Sequence, residues 1–166
     1  LTENIPSSQD HLSTVLEAMK SNNMLHITFK AFTMKEPKRF LVEPYCVKMS
    51  AQRWYMLARN TEHKNLRLYS LDRIEAVEIS NTRFVLPDDF NAKDYFAEFF
   101  GIVLDESVPL QTIILRADKY HQNYMRTLPL HPTQREIFAC DDYADFELKL
   151  RPTYDFYMKL MSFGNM

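Results

Sequence analysis

Between residues 24 and 80, apolar and polar side chains change places in five short runs, and this pattern constrains the fold more than any other feature. Leu25, Ile27, Phe29 and Ala31 alternate with His26, Thr28 and Lys30, the period of a half-buried strand. Phe40, Val42 and Val47 follow with Pro44 between them. A proline removes a ladder donor, so this run is expected at an edge or a bend. Residues 53–59 read Arg-Trp-Tyr-Met-Leu-Ala-Arg, β-rich and aromatic, and residues 66–70 and 74–80 supply two more runs. Five short strands joined by short polar turns predict a small antiparallel barrel.

The flanks read differently. Residues 1–8, with Pro6-Ser7-Ser8, suggest a flexible lead-in. Leu12, Val15, Leu16 and Met19 recur at three- and four-residue steps, which predicts an amphipathic helix over 9–21 that packs on the next domain or carries a dimer contact. In residues 81–107, a turn at Pro87-Asp88-Asp89-Phe90 precedes a short helix over 94–100, capped by Asp89 or Asn91 and closed by Gly101. Beyond Pro109, a strand at 110–116 leads to a helix over 117–127 with Tyr120, Tyr124 and Leu128 on one face. A hairpin of 135–140 and 145–151 follows, then a helix over 153–163 introduced by Pro152 and marked by Phe156, Leu160 and Phe163. Strand–helix–strand–strand–helix predicts a small ferredoxin-like α+β unit. The expected domains are 1–21, 22–80, 81–107 and 108–166, in a mainly β, α+β chain without repeats. Because it begins at Leu1 and closes on residues 162–166 without a clear finish, the chain is expected to be a piece of a longer polypeptide.

Several function classes are disfavoured. With 46% hydrophobic residues the chain is not disordered, and no apolar run approaches the roughly 20 residues a membrane helix needs. Cys46 and Cys140 form neither a disulfide framework nor a zinc spacing, which suggests a reducing, cytoplasmic setting. Two glycines, Gly101 and Gly164, cannot build a phosphate loop. No Gly-x-Ser-x-Gly elbow is present, and His11, His26, His63, His121 and His131 show no metal-ligand spacing. Neither enzymatic activity nor a cofactor or metal is expected.

The net charge of −2 conceals an asymmetry. Residues 24–83 carry eleven lysines and arginines against six acids, whereas residues 84–115 carry one lysine against six acids. In the basic block, cations and aromatics interleave: Arg39-Phe40, Arg53-Trp54-Tyr55, Arg67-Leu68-Tyr69 and Arg73-Ile74. Guanidinium groups offer forked donors to phosphate or carboxylate, and tyrosines add a stacking face, the combination used by single-stranded nucleic acid or nucleotide sites. The plainer alternative is that Trp54 fills the barrel while the arginines pair with Glu43, Glu62, Asp72 and Glu75.

Three linked motifs resemble one family. Val42-Glu43-Pro44-Tyr45, Arg53-Trp54-Tyr55-Met56-Leu57-Ala58-Arg59 and the run Leu66 to Ile74 are similar, in order and spacing, to the WYL domain. Residues 96–101 and Leu128-Pro129-Leu130-His131-Pro132-Thr133-Gln134 resemble the WCX extension that often follows it. The resemblance implies a bacterial transcription regulator: an N-terminal helix-turn-helix, missing here, then an Sm-like five-stranded barrel, then the WCX region. This chain would be the sensing and dimerising half, a cytoplasmic homodimer with no membrane contact. Its effector would be a single-stranded nucleic acid or nucleotide, and it would reach DNA through the missing domain. The resemblance places Arg39, Tyr55, Arg67 and Arg73 on the anion site, Arg53 and Tyr69 in second rank, and Trp54 in the core. Arg39 stands one position earlier than the family's spacing, a shift that turns a strand side chain to the other face. Met56 replaces the leucine of the triplet, and Phe29 stands where many members carry tyrosine.

Overall fold

A computed structural model describes residues 6–164, and residues 1–5 of the expected lead-in lie outside the described residues. The chain divides into two compact units, Leu1–Phe90 and Asn91–Met166, with the boundary inside the segment expected as a connector.

The first unit opens with helix α1 (Pro6–Ser21), followed by strands β1 (Asn23–Phe29), β2 (Lys38–Ser50), β3 (Arg53–Asn60) and β4 (Asn65–Ser70). A one-turn 3-10 helix, Leu71–Arg73, then leads into β5 (Ile74–Arg83). The five strands form one antiparallel sheet in the order β4-β3-β2-β1-β5. Pro44 is tolerated for two reasons. Tyr45 is an extra residue between the Pro44–Ala58 and Cys46–Leu57 pairs, and β1 pairs only as far as Val42, so Pro44 has a ladder neighbour on one side. The bend and the edge are therefore both present.

The closed barrel is not. No ladder joins β4 to β5 among the described residues. The chain crosses between these outer strands through the 3-10 turn, whose Leu71 is wholly buried in the core. The core behind it is built from alternate residues: Leu25, Ile27 and Phe29 of β1, Phe40 and Val42 of β2, Met56 and Ala58 of β3, and Tyr69 of β4. Val15 and Ala18 of α1 are fully buried against this cluster, with Leu12 and Met19 packed beside them. The helical stripe thus packs on its own unit, as one of the two expected placements has it. On the other face, Tyr45 stacks on Phe84 at 6.2 Å and meets the edge of Phe90 at 4.9 Å. The two-residue turn between β2 and β3 places Ala51 at φ 46° and Gln52 at φ 62°.

The second unit holds α2 (Ala92–Phe96), β6 (Gln111–Asp118), α3 (Gln122–Thr127), β7 (Arg135–Ala139), β8 (Tyr143–Leu150) and α4 (Tyr154–Met161). Its antiparallel sheet has the order β6-β8-β7. Ala144, Phe146, Leu148 and Leu150 of β8 face a core completed by Ala117, Met125 and Phe156. The element order is the expected one, yet the sheet has three strands among the described residues where a complete ferredoxin-like unit has four.

Three helices are shorter than expected, α4 only at its ends. Asp118 ends β6 and accepts hydrogen bonds from the Tyr120 and His121 amides, both 2.9 Å, so α3 starts only at Gln122. Tyr120, Tyr124 and Leu128 are exposed, and the helix buries Met125 instead. Helix α2 is capped by Asn91, whose Oδ1 accepts from the Asp94 amide at 3.2 Å, and it stops at Phe96. Gly101 has φ +75°, and a side chain there would collide with the Asp155 carboxylate, which accepts from the Ile102 and Val103 amides at 2.7 and 2.9 Å. His131 is buried, with Nε2 3.2 Å from the Phe99 carbonyl and Nδ1 2.7 Å from the Thr133 hydroxyl; burial holds its pKa below the ordinary value. No helix among the described residues is long and apolar enough to cross a membrane.

Candidate ligand-binding site

The 3-10 turn places two charged side chains beside the end of β1. The Lys30 amide donates to the Arg73 carbonyl at 3.2 Å, and Phe29 pairs with Ile74, so the loop after β1 lies next to the turn. That loop folds back on itself through the Met34 amide and the Ala31 carbonyl, 3.0 Å. The result is a cavity of about 320 Å³ lined by Lys30, Phe32, Met34, Asp72, Arg73 and Glu75, together with Ala31.

Arg73 is the key group of this cavity. Its guanidinium carbon lies 3.4 Å from the centroid of the Phe32 ring, a cation–π contact. Its Nε is buried and has no hydrogen-bond partner among the described residues. A desolvated guanidinium N–H without an acceptor is costly and is offset when an acceptor arrives. Asp72 is already engaged: Arg53 pairs with it at 3.1 Å and the Ser70 hydroxyl donates to its other oxygen. The lining therefore offers Lys30 and Arg73 against a single uncompensated acid, Glu75.

A second polar group lies within the core face of the sheet. Asn60, fully buried, donates from Nδ2 to the Tyr69 hydroxyl at 2.9 Å and accepts at Oδ1 from the Glu62 and His63 amides, both 3.0 Å. Tyr69 is also edge-on to Phe29 at 5.1 Å. Burial raises the Tyr69 pKa, opposed by the Asn60 bond and the nearby Arg67 charge.

The six residues singled out in the sequence do not converge on one pocket. Arg73 lines the cavity, and Arg53 touches it through Asp72. Arg67 shares a face of β4 with Tyr69, two residues apart, but Tyr69 is 3% exposed and works as a core residue. Tyr55 is 8% exposed and points away from the face of Trp54, Met56 and Ala58 that packs on the core. Arg39 lies in solvent, paired with Glu78 at 2.7 Å, on the opposite face from Phe40 and Val42. Strand parity accounts for both: each is one residue away from a core position. Lys30, Phe32 and Glu75 were missed. Lys30 and Phe32 sit in the loop after β1, and the available signal was Phe32 itself, an aromatic on the polar parity of Thr28 and Lys30. Among the described residues there is no cluster of histidine, cysteine and acids able to hold a metal.

Comparison with known proteins accords with this architecture. Comparison with curated proteins returns no match. One structurally similar chain is the proteasome accessory factor B/C (PafBC) of Arthrobacter aurescens, with a TM-score of 0.54 and 19% identity, covering 99% of this chain and 25% of that one. Another is a CRISPR Cas-related protein, with a TM-score of 0.57 and 13% identity, covering 94% of this chain and 51% of that one. The chain thus spans a quarter to a half of these structures, and at such identities the likeness establishes the fold alone. The WYL-domain family model matches residues 10–79, which hold most of α1, strands β1 to β4, the 3-10 turn and the first part of β5. Residues 10–79 of the chain thus carry a WYL domain.

Proposed function

We propose that this chain is the effector-sensing part of a transcription regulator. Its WYL domain takes a negatively charged ligand, single-stranded nucleic acid or a nucleotide, and its second unit is a WCX-like extension. A helix-turn-helix elsewhere in a longer polypeptide would read DNA, the assembly would be a homodimer, and no turnover or cofactor is involved. The observation that carries this reading is Arg73, whose buried Nε lacks an acceptor while its guanidinium and Lys30 line a cavity of about 320 Å³. Fluorescence anisotropy with short single-stranded DNA tests it. Affinity is expected to fall roughly five- to tenfold between 50 and 200 mM salt if two phosphates are neutralised, and Arg73→Ala to weaken binding at least about tenfold, the scale of a charged hydrogen bond. Absence of binding by the unmodified chain at low salt refutes the reading.

A second reading, an oligomerisation scaffold without ligand, draws on α4. Tyr154, Tyr157, Met158 and Met161 are exposed at helical spacing, opposite the core residue Phe156. Light scattering during ligand titration separates the two: a tight dimer indifferent to nucleotides and oligonucleotides favours the scaffold.

A further inference from the structure

We propose that Phe32 is a base-stacking platform, so that the cavity takes a nucleotide unit with its base on the free face of the Phe32 ring and its phosphate on Arg73. This rests on the reading of the cavity as an anion site given above. Phe32 is 83% exposed although it is a large apolar side chain at the rim of a cavity. One face of its ring carries the Arg73 guanidinium at 3.4 Å. The other face is open, and a planar π system is what an exposed phenyl face accepts best among polar ligands. Stacking occupies the guanidinium face but leaves its N–H donors, which lie in its plane, available to phosphate oxygens.

Size and charge agree with this assignment. The volume of about 320 Å³ lies at the lower end of small-ligand pockets, enough for one nucleotide unit. A base in van der Waals contact sits about 3.5–4 Å beyond the phenyl ring, leaving its phosphate to curl back around the ring edge toward Arg73 and Lys30. Asp72 does not repel that phosphate strongly, because Arg53 and Ser70 already engage both of its oxygens.

The test uses the full chain and two probes, a mixed-sequence single-stranded DNA pentamer and an abasic backbone of the same length. The unmodified chain is expected to bind the pentamer about 5- to 150-fold more tightly than the abasic strand, the range measured for one stacked base. Phe32→Ala should bring the pentamer to the abasic level and leave abasic binding unchanged, while Phe32→Tyr keeps the difference. Arg73→Ala should weaken both strands. Equal binding of both strands by the unmodified chain overturns the stacking role alone. So does a Phe32→Ala variant that loses abasic affinity, because the ring would then act only by holding Arg73. Failure of the unmodified chain to bind either strand overturns the anion-site reading itself, and the stacking role with it.

Discussion

The Asn60–Tyr69 pair gives a quantitative check on how the core face of the WYL sheet is held together. Asn60→Ala removes three hydrogen bonds: the one to the Tyr69 hydroxyl and the two from the Glu62 and His63 amides. The turn amides lie on exposed residues and recover water, so each loss costs about 0.5–1 kcal/mol. The Tyr69 hydroxyl, on a residue 3% exposed, does not recover it, and an unsatisfied buried hydroxyl costs about 1–3 kcal/mol. The expected loss is therefore about 2–5 kcal/mol. Tyr69→Phe keeps the ring and removes only the oxygen, and should cost about 1–2 kcal/mol by stranding the Asn60 amide. The double variant should cost less than the sum by about 1 kcal/mol or more, since each change removes the other's unmet partner. Trp54 is the only tryptophan in the chain and packs against this core, so urea titration followed by its fluorescence reports the first unit alone. At a slope of about 1–3 kcal/mol/M, Asn60→Ala should lower the midpoint by roughly 1 M or more. Additive single effects, or a shift below about 0.3 M, would refute the reasoning.

Other consequences can be checked more simply. Arg39→Ala should change stability by less than about 1 kcal/mol, because its ion pair with Glu78 is 60% and 66% exposed, and should leave pentamer affinity within about threefold. Loss of binding in that variant would place the ligand on the other face of β2. Gly101→Ala should destabilise the second unit by about 2 kcal/mol or more, since alanine resists φ +75° and its Cβ meets Asp155. Circular dichroism in urea tests this, and a neutral result would mean the loop relaxes freely. His131 has a folded pKa below its ordinary value because burial disfavours the charged ring. The unfolded chain therefore binds the proton more readily, and the stabilisation, present above about pH 6.5, is lost as pH falls. Hydrogen exchange over residues 128–151, corrected for intrinsic rates, should show weaker protection at pH 5 than at pH 7, and His131→Gln should flatten that difference. Equal protection at both pH values contradicts the linkage.

The sheet was legible in the sequence because a period of two survives any detail of topology: Leu25, Ile27 and Phe29, or Met56 and Ala58, show their face without a partner in view. Closure was not legible, since it depends on whether β4 pairs with β5, which no local pattern shows. The overlong α3 has a similar origin. Helix periodicity over 117–127 competes with the Asp118 carboxylate, which turns the chain by satisfying two amides. At the site, Arg53 and Arg73 stood out as cations in the basic block, and the structure brings both to Asp72. Their neighbours Lys30 and Phe32 lie far upstream in the sequence and join Arg73 only because β1 pairs with β5. Tyr55 and Tyr69 were placed among the ligand contacts by resemblance, and both are buried, at 8% and 3% exposure. Asn60 carries no motif, and its importance comes from sitting at a strand end with three unmet polar neighbours.

The bend joining β2 to β3 carries a consequence for engineering. Ala51 and Gln52 both hold left-handed backbone, a geometry that an Asn-Gly pair adopts willingly and these residues do not. The ladder on either side must therefore impose the reversal. Combining Ala51→Asn with Gln52→Gly would close this corner by local preference, gaining on the order of 1–2 kcal/mol while every strand contact stays as it is. Such a variant is a natural background in which to place the destabilising substitutions above.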